Sequence, residues 1–271
     1  MAQEQQPMQR ADIELTGEFR GIVLPINRIE VDATWMWLSR GWQDFRRARA
    51  VDLCFGIGIA AISFLILAMA WQADLWPYVW PLAAGFMFLA PLLGICFYET
   101  SRRLEQGLPI NLVDIALSWR QRPGPIFTLG LILMLIQVVW IYLAILIYAL
   151  FFGAQPVSWS SFVLDTLLSP KNLPFWIVGF GVGAILAGIS FAVSVVSFPL
   201  LLDRDIGVPQ AIATSLAASI VNWRVLIGWG ALIVLFSAAG IATFCLGLII
   251  TMPLLGHASW HAYRDIVAAP R

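Results

Sequence analysis

Apolar residues along this chain gather into long unbroken runs, not into the narrow stripes of a helix that is wetted on one side. Runs at about 53–71, 78–98, 127–152 and 175–201 each reach the length of roughly 20 residues that a hydrocarbon span needs. A further run, 225–263, would make a helix of roughly 58 Å, about twice the hydrocarbon thickness, so it must fold back once. The small residues of "SAAG", 237–240, predict the turn, giving spans at 225–236 and 243–260. The pattern therefore predicts an all-α polytopic membrane bundle of six transmembrane helices.

The polar stretches predict the rest. Residues 1–30 are polar and without period, as expected of a mobile tail, and 266–271 form a second short tail. Between them, "DATWMWLSRGWQDFRRARA" within 31–50 predicts an interfacial helix capped near Asp32 or Thr34. It places Trp35, Leu38, Trp42 and Phe45 on one face, with Arg40, Gln43, Asp44 and Arg47 away from it. Within the apolar runs, Pro81 and Pro91 predict a kink, and Gln137 predicts a hydrogen bond between helices.

Two inter-span segments resemble one another. "ETSRRLEQGLPINLVDIALSWR" and "LLDRDIGVPQAIATSLAASIVNWR" share acid-x-Gly-x-Pro, as Glu105, Gly107, Pro109 and as Asp205, Gly207, Pro209. Each ends on Trp-Arg, Trp119-Arg120 and Trp223-Arg224. This predicts an approximate parallel repeat of span, amphipathic surface helix and span. In each copy Gly releases one helix and Pro starts the next, while Trp and Arg mark the re-entry into lipid.

Charge then fixes the orientation. Six spans with both termini on one side put all fifteen Arg on that side and leave only Lys171 opposite. Five spans would export Arg264 and Arg271. The expected location is a bacterial inner membrane with both termini cytoplasmic. The start of the chain is acidic and Gln-rich, unlike a signal peptide.

Composition agrees: 60% hydrophobic residues and 12% charged, net charge +0 and a mean hydropathy of +0.83. No basic patch suited to nucleic acid is implied. Cys54, Cys96 and Cys245 are scattered without ligand spacing, so no redox or metal role is expected of them. No phosphate-binding, metalloprotease, nucleophile-elbow or dinucleotide motif occurs, so neither catalytic residues nor a cofactor are expected. Glu99, Asp203 and Asp52 fall at the cytoplasmic ends of spans, within reach of water and Arg. His257 and His261, one turn apart in "GHASWHAYRD", share a helix face; two imidazoles are too few for a closed metal or haem site. With Glu99, Asp203, Arg204 and Asp205 they form the candidate functional surface. Gly179, Gly183 and Ala187 begin a small-residue stripe that predicts close helix packing.

"YETSRRLEQGLP", "FPLLLDRDIGVPQAI" and "MPLLGHASWHAYR" together resemble the motifs of the bacterial family of integral membrane proteins called domain of unknown function 2189, over about 29–267. The resemblance implies a multi-span inner-membrane protein and supplies no catalytic residues. Some members carry names suggesting a cytochrome c oxidase subunit, yet two histidines are too few for a haem-copper core. The expected role is a non-catalytic accessory, assembly or scaffold component of a membrane complex, possessing a lipid environment and another membrane protein, or a second copy, as partner. The alternative is a transporter or channel for a small neutral or apolar solute.

Overall fold

The structure is a computed structural model that describes residues 23–73, 90–153 and 170–268. Among these residues the regular structure is all helical, apart from one isolated antiparallel bridge between Ile26 and Val267. The helices are α1 (Ala33–Arg47), α2 (Arg49–Gln72), α3 (Ile95–Gln106), α4 (Leu112–Ala116), α5 (Pro123–Phe152), α6 (Leu173–Ser194), α7 (Ser197–Asp203), α8 (Val208–Val221), α9 (Trp223–Ala242) and α10 (Leu248–Ile266). Among the described residues, four segments, Arg49–Gln72, Pro123–Phe152, Pro170–Asp203 and Trp223–Ala242, are long and apolar enough to cross a membrane. They carry rows of exposed large apolar side chains, such as Phe64, Leu65 and Met69 on α2 and Leu131, Leu135 and Tyr142 on α5. Water would oppose such surfaces; lipid tails accept them.

The last helix is the centre of the fold. α10 packs along α1, α2, α3 and α9, and most of its side chains from Leu248 onward are buried. Glycine permits this close approach. A Cβ on Gly41 of α1 would stand 2.8 Å from the Ala258 nitrogen, one on Gly256 2.5 Å from the Phe97 Cβ, and one on Gly56 would run into the Ile249 backbone. Trp37 and Trp229 meet edge to face at 5.6 Å, tying α1 to α9.

Several boundaries depart from the sequence reading. "SAAG" lies inside α9, and the reversal comes at Thr243–Gly247, where Phe244 and Cys245 take positive φ. Gly240 and Gly247 let the two arms touch at that turn: a Cβ on Gly247 would meet the Gly240 Cα at 2.8 Å. Close contact, not local flexibility, set the turn. Residues 23–29, within the expected mobile tail, are docked by Asn27 N to Ile266 O at 2.8 Å and Ile29 N to Asn222 Oδ1 at 2.9 Å. Ala268 N to Pro25 O at 3.0 Å ties down the start of the expected C-terminal tail. On α1 the buried face is Trp37, Leu38, Gly41, Asp44 and Phe45, so Asp44 faces inward beside Leu38 and Phe45, which it was expected to oppose, while Trp35 and Trp42 face outward.

The second predicted span, 78–98, lies outside the described residues as far as 89; its described end runs on through α3 to Gln106. The two loops with acid-x-Gly-x-Pro use glycine differently. Gly107 is left-handed at φ 67° and closes α3, with Leu108 N bonded to Arg103 O at 2.9 Å. Gly207 is extended and opens α8, whose first turn holds Pro209. Their ends are alike: Arg120 lies over Trp119 at 5.4 Å and Arg224 over Trp223 at 5.2 Å.

Candidate functional site

Four helices meet at a buried polar chain. On α10, His257 and His261 are one turn apart; on α3, Ser101 faces them; Asp44 comes from α1, and Asp52 from the first turn of α2. Asp52 Oδ2 lies 2.9 Å from His257 Nε2, and both side chains are 0% exposed. His257 Nδ1 lies 2.8 Å from Ser101 Oγ, which donates to Asp44 Oδ2 at 2.8 Å. His261 Nε2, at the half-buried edge, reaches the same Asp44 oxygen at 2.8 Å. The result is one hydrogen-bonded line from a sealed carboxylate to a partly wetted imidazole.

Protons can be counted along it. Four hydrogen bonds need four protons, whereas Ser101 and two neutral imidazoles supply three. With the Ser101 hydroxyl committed to Asp44, His257 Nδ1 must donate to Ser101, and a further proton must lie between Nε2 and Asp52. Charge compensation at that depth is a condition of folding, because a lone buried carboxylate costs several kcal/mol. Burial pushes the Asp44 carboxyl up, but hydrogen bonds from His261 and Ser101, with the charge of both imidazoles, outweigh it and hold Asp44 below the ordinary carboxylate value.

A second layer surrounds this line. Glu105 accepts from Trp260 Nε1 at 3.2 Å and from Arg264 at 2.8 Å; Asp203 accepts from Tyr263 Oη at 2.6 Å and from Arg264 at 3.4 Å. Asp265 takes Trp37 Nε1 at 2.9 Å and Arg40 at 3.1 Å. Helical spacing explains the assignment. Positions 257 and 261 of α10 reach Ser101 and Asp44, while 260 and 264 reach Glu105, itself one turn beyond Ser101.

The predicted surface is thus divided. His257 and His261 do meet carboxylates, but those of Asp44 and Asp52 and not Glu99 or Asp203. Glu99 is 0% exposed, clamped by Arg102 at 2.7 Å and Arg103 at 2.8 Å of its own helix; water does not reach it or Asp52. Asp203 and Arg204 are mostly buried in the second layer, where Arg204 donates to Ala268 O at 2.6 Å; Asp205 is exposed and pairs with Arg122. A Cβ on Gly183 would stand 3.1 Å from the Trp140 ring and Ala187 lines a cavity, while Gly179 faces open space. Gln137 is buried, and its Oε1 has no hydrogen-bond partner among the described residues. Asp44, Asp52, Ser101, Glu105 and Asp265 escaped the sequence reading as site residues. The available signal was Asp44 itself, a carboxylate on the buried stripe at Trp37, Gly41, Asp44 and Ala48.

The arrangement offers little room for chemistry. Ser101 and His257 resemble part of a nucleophile and base pair, but Ser101 is 2% exposed and its proton serves Asp44. Among the described residues, no group of three or more His, Cys, Asp or Glu is arranged to hold a metal ion. A hollow lies elsewhere, a cavity of about 580 Å³ bounded by residues 90–98, α6, α9 and α10. Its walls are mostly apolar, with small residues such as Ala187, Gly188 and Gly230 beside larger ones such as Phe191 and Leu226; Tyr98 and four serines, among them Ser194 and Ser259, add hydroxyls, and no charged residue lines it.

No curated protein and no solved structure matches the chain. A family match exists and is narrower than the resemblance suggested, ending at Asp203 and leaving out the "GHASWHAYR" block that carries both histidines. Residues 79–203, from the second apolar run to the end of α7, match the model of the family described as predicted integral membrane protein (DUF2189).

Proposed function

We propose that this integral membrane protein has no chemistry of its own and serves as an accessory or scaffold component, packing against a helix of another membrane protein. The observation that carries the reading is the cavity of about 580 Å³, whose small-residue walls are open to an apolar side chain from outside. A ridge of Leu or Phe on a partner helix suits a groove floored by Gly188, Gly230 and Ala231. The polar groups, by contrast, are spent on holding α1, α2, α3 and α10 together.

In this reading the protein lies in a bacterial inner membrane with its Arg-rich end cytoplasmic. Support comes from the pairing of Arg122 with Asp205, Arg264 with Glu105 and Arg40 with Asp265, which gathers distant loops at one end. The two Trp-Arg elbows support a parallel repeat. A second reading, binding or passage of a small neutral solute, is favoured by the hydroxyls of Tyr98, Ser194 and Ser259 in the same cavity.

Affinity purification in mild detergent separates the two. The scaffold reading expects a stoichiometric membrane partner with the wild type and its loss from a Gly230→Leu, Ala187→Leu variant that fills the groove. Repeated isolation of the wild type alone sinks it. Solute uptake into liposomes by the purified protein, blocked by the same variant, would then establish the second reading.

A further inference from the structure

The junction of α1 and α2 carries a feature independent of the groove and of the buried chain. Trp42, Phe45, Arg46, Arg49, Leu53 and Ile250 line a cavity of about 380 Å³. Arg46 and Arg49 are exposed, and neither has an acidic or hydrogen-bonding partner among the described residues. The nearest carboxylate in sequence, Asp44, faces inward and is occupied by His261 and Ser101. Trp42 stacks on Phe45 at 5.2 Å, so one wall is a rigid aromatic pair. The opposite wall is aliphatic and leads onward: Leu53, then Ile57 one turn further and 55% exposed, beside Ile250 at 47%. Arg49 is also the first residue of α2, a helix long and apolar enough to cross a membrane. The two guanidiniums therefore stand where headgroups give way to acyl chains, with Trp42 at the depth that indole prefers.

From this we infer that the α1–α2 junction binds an anionic phospholipid. The phosphate sits between Arg46 and Arg49, and one acyl chain runs along Leu53, Ile57 and Ile250. Guanidinium matches phosphate in geometry and charge. Two unpaired guanidiniums favour a headgroup with net negative charge over a zwitterionic one, whose ammonium they would repel. The aliphatic wall, continuous with the lipid-facing side of α2, selects an amphiphile over a water-soluble anion. A break in the helix at Ala48 brings the pair together: α1 ends at Arg47, and its last-turn Arg46 stands beside the newly started α2.

Native mass spectrometry of the full-length protein, titrated with phosphatidylglycerol, phosphatidylcholine or glycerol phosphate, tests the site. Phosphatidylglycerol is expected to bind at least tenfold more tightly than phosphatidylcholine, with glycerol phosphate far weaker. Arg46→Gln, Arg49→Gln should lose about tenfold to thirtyfold of that affinity, the effect of two basic residues at a charged membrane surface. Arg28→Gln, Arg224→Gln, which removes equal charge elsewhere, should stay within twofold of wild type. Arg46→Lys, Arg49→Lys should recover part of the loss and guards against a folding defect. Equal loss in both glutamine doubles, or no preference between the two lipids, overturns the inference. Glycerol phosphate binding as tightly as the lipid does so too.

Discussion

At the scale of single residues, the pair His257 and Asp52 decides the most, since neither touches water. Removing one partner strands the other in an apolar interior, and breaking such a pair costs about 3–5 kcal/mol. His257→Phe and Asp52→Leu are each expected to lower stability by that amount. The double variant should lose clearly less than the sum, as chemical denaturation in detergent would measure; additive losses would refute the coupling. Asp44 gives a pH dependence of definite sign. Its folded carboxyl lies below the ordinary value of 3.8, so its stabilising contribution is present above about pH 4 and fades as pH falls through the lower folded value. Asp44→Asn should flatten the acid side of the melting-temperature profile. None of these pairings was legible in the sequence, because Asp52 and His257 are 205 positions apart. The helix periodicity that put His257 and His261 on one face was legible and is what places both imidazoles on the line.

At the scale of elements, glycine contacts decide how near α10 comes to its neighbours. The stripe read from the sequence, Gly179 and Gly183, lies on α6, where one member packs on Trp140 and the other is open. Close approaches of α10 are found instead at Gly41, Gly56 and Gly256, which lie on three different helices. Gly41→Val should therefore destabilise by about 1–3 kcal/mol or more, since the backbone of α10 cannot retreat. Gly179→Val, which meets nothing within 4 Å, should leave the melting temperature unchanged. Comparable losses in both would show that α10 tolerates displacement. A repeat of small residues is visible in one helix; which glycine meets a neighbour depends on helices far apart in the chain.

For the whole molecule, the α9–α10 hairpin is the main question of membrane architecture. Nine residues of α10, roughly 14 Å, separate Leu248 from His257, whereas α2 runs another twenty residues, roughly 30 Å, from Asp52 to Gln72. Because Asp52 and His257 touch, the turn at Thr243–Gly247 stops short of the far end of α2. Its tip is apolar and bare, with Phe244 76% and Leu246 66% exposed. Such a tip belongs in lipid, so the hairpin is expected to enter and leave on one side without crossing. Leu246→Cys should resist membrane-impermeant maleimide from both faces and react with a lipid-soluble one. Labelling from the face opposite the Arg-rich end would instead establish two full crossings.

That the chain is a helical integral membrane protein was legible in the sequence, because hydropathy over about twenty consecutive residues is a local property that only a lipid solvent satisfies. Helix periodicity likewise put His257 and His261 on one face, though it misplaced the buried face of α1. Only the tertiary structure decided that α10, the least membrane-like of the long helices, is the core of the fold. It decided as well that Asp44 and Asp52 face the histidines and that the hairpin turns at 243–247. Those outcomes rest on contacts across most of the chain's length, where the geometry of packed helices, not local composition, selects which polar groups meet.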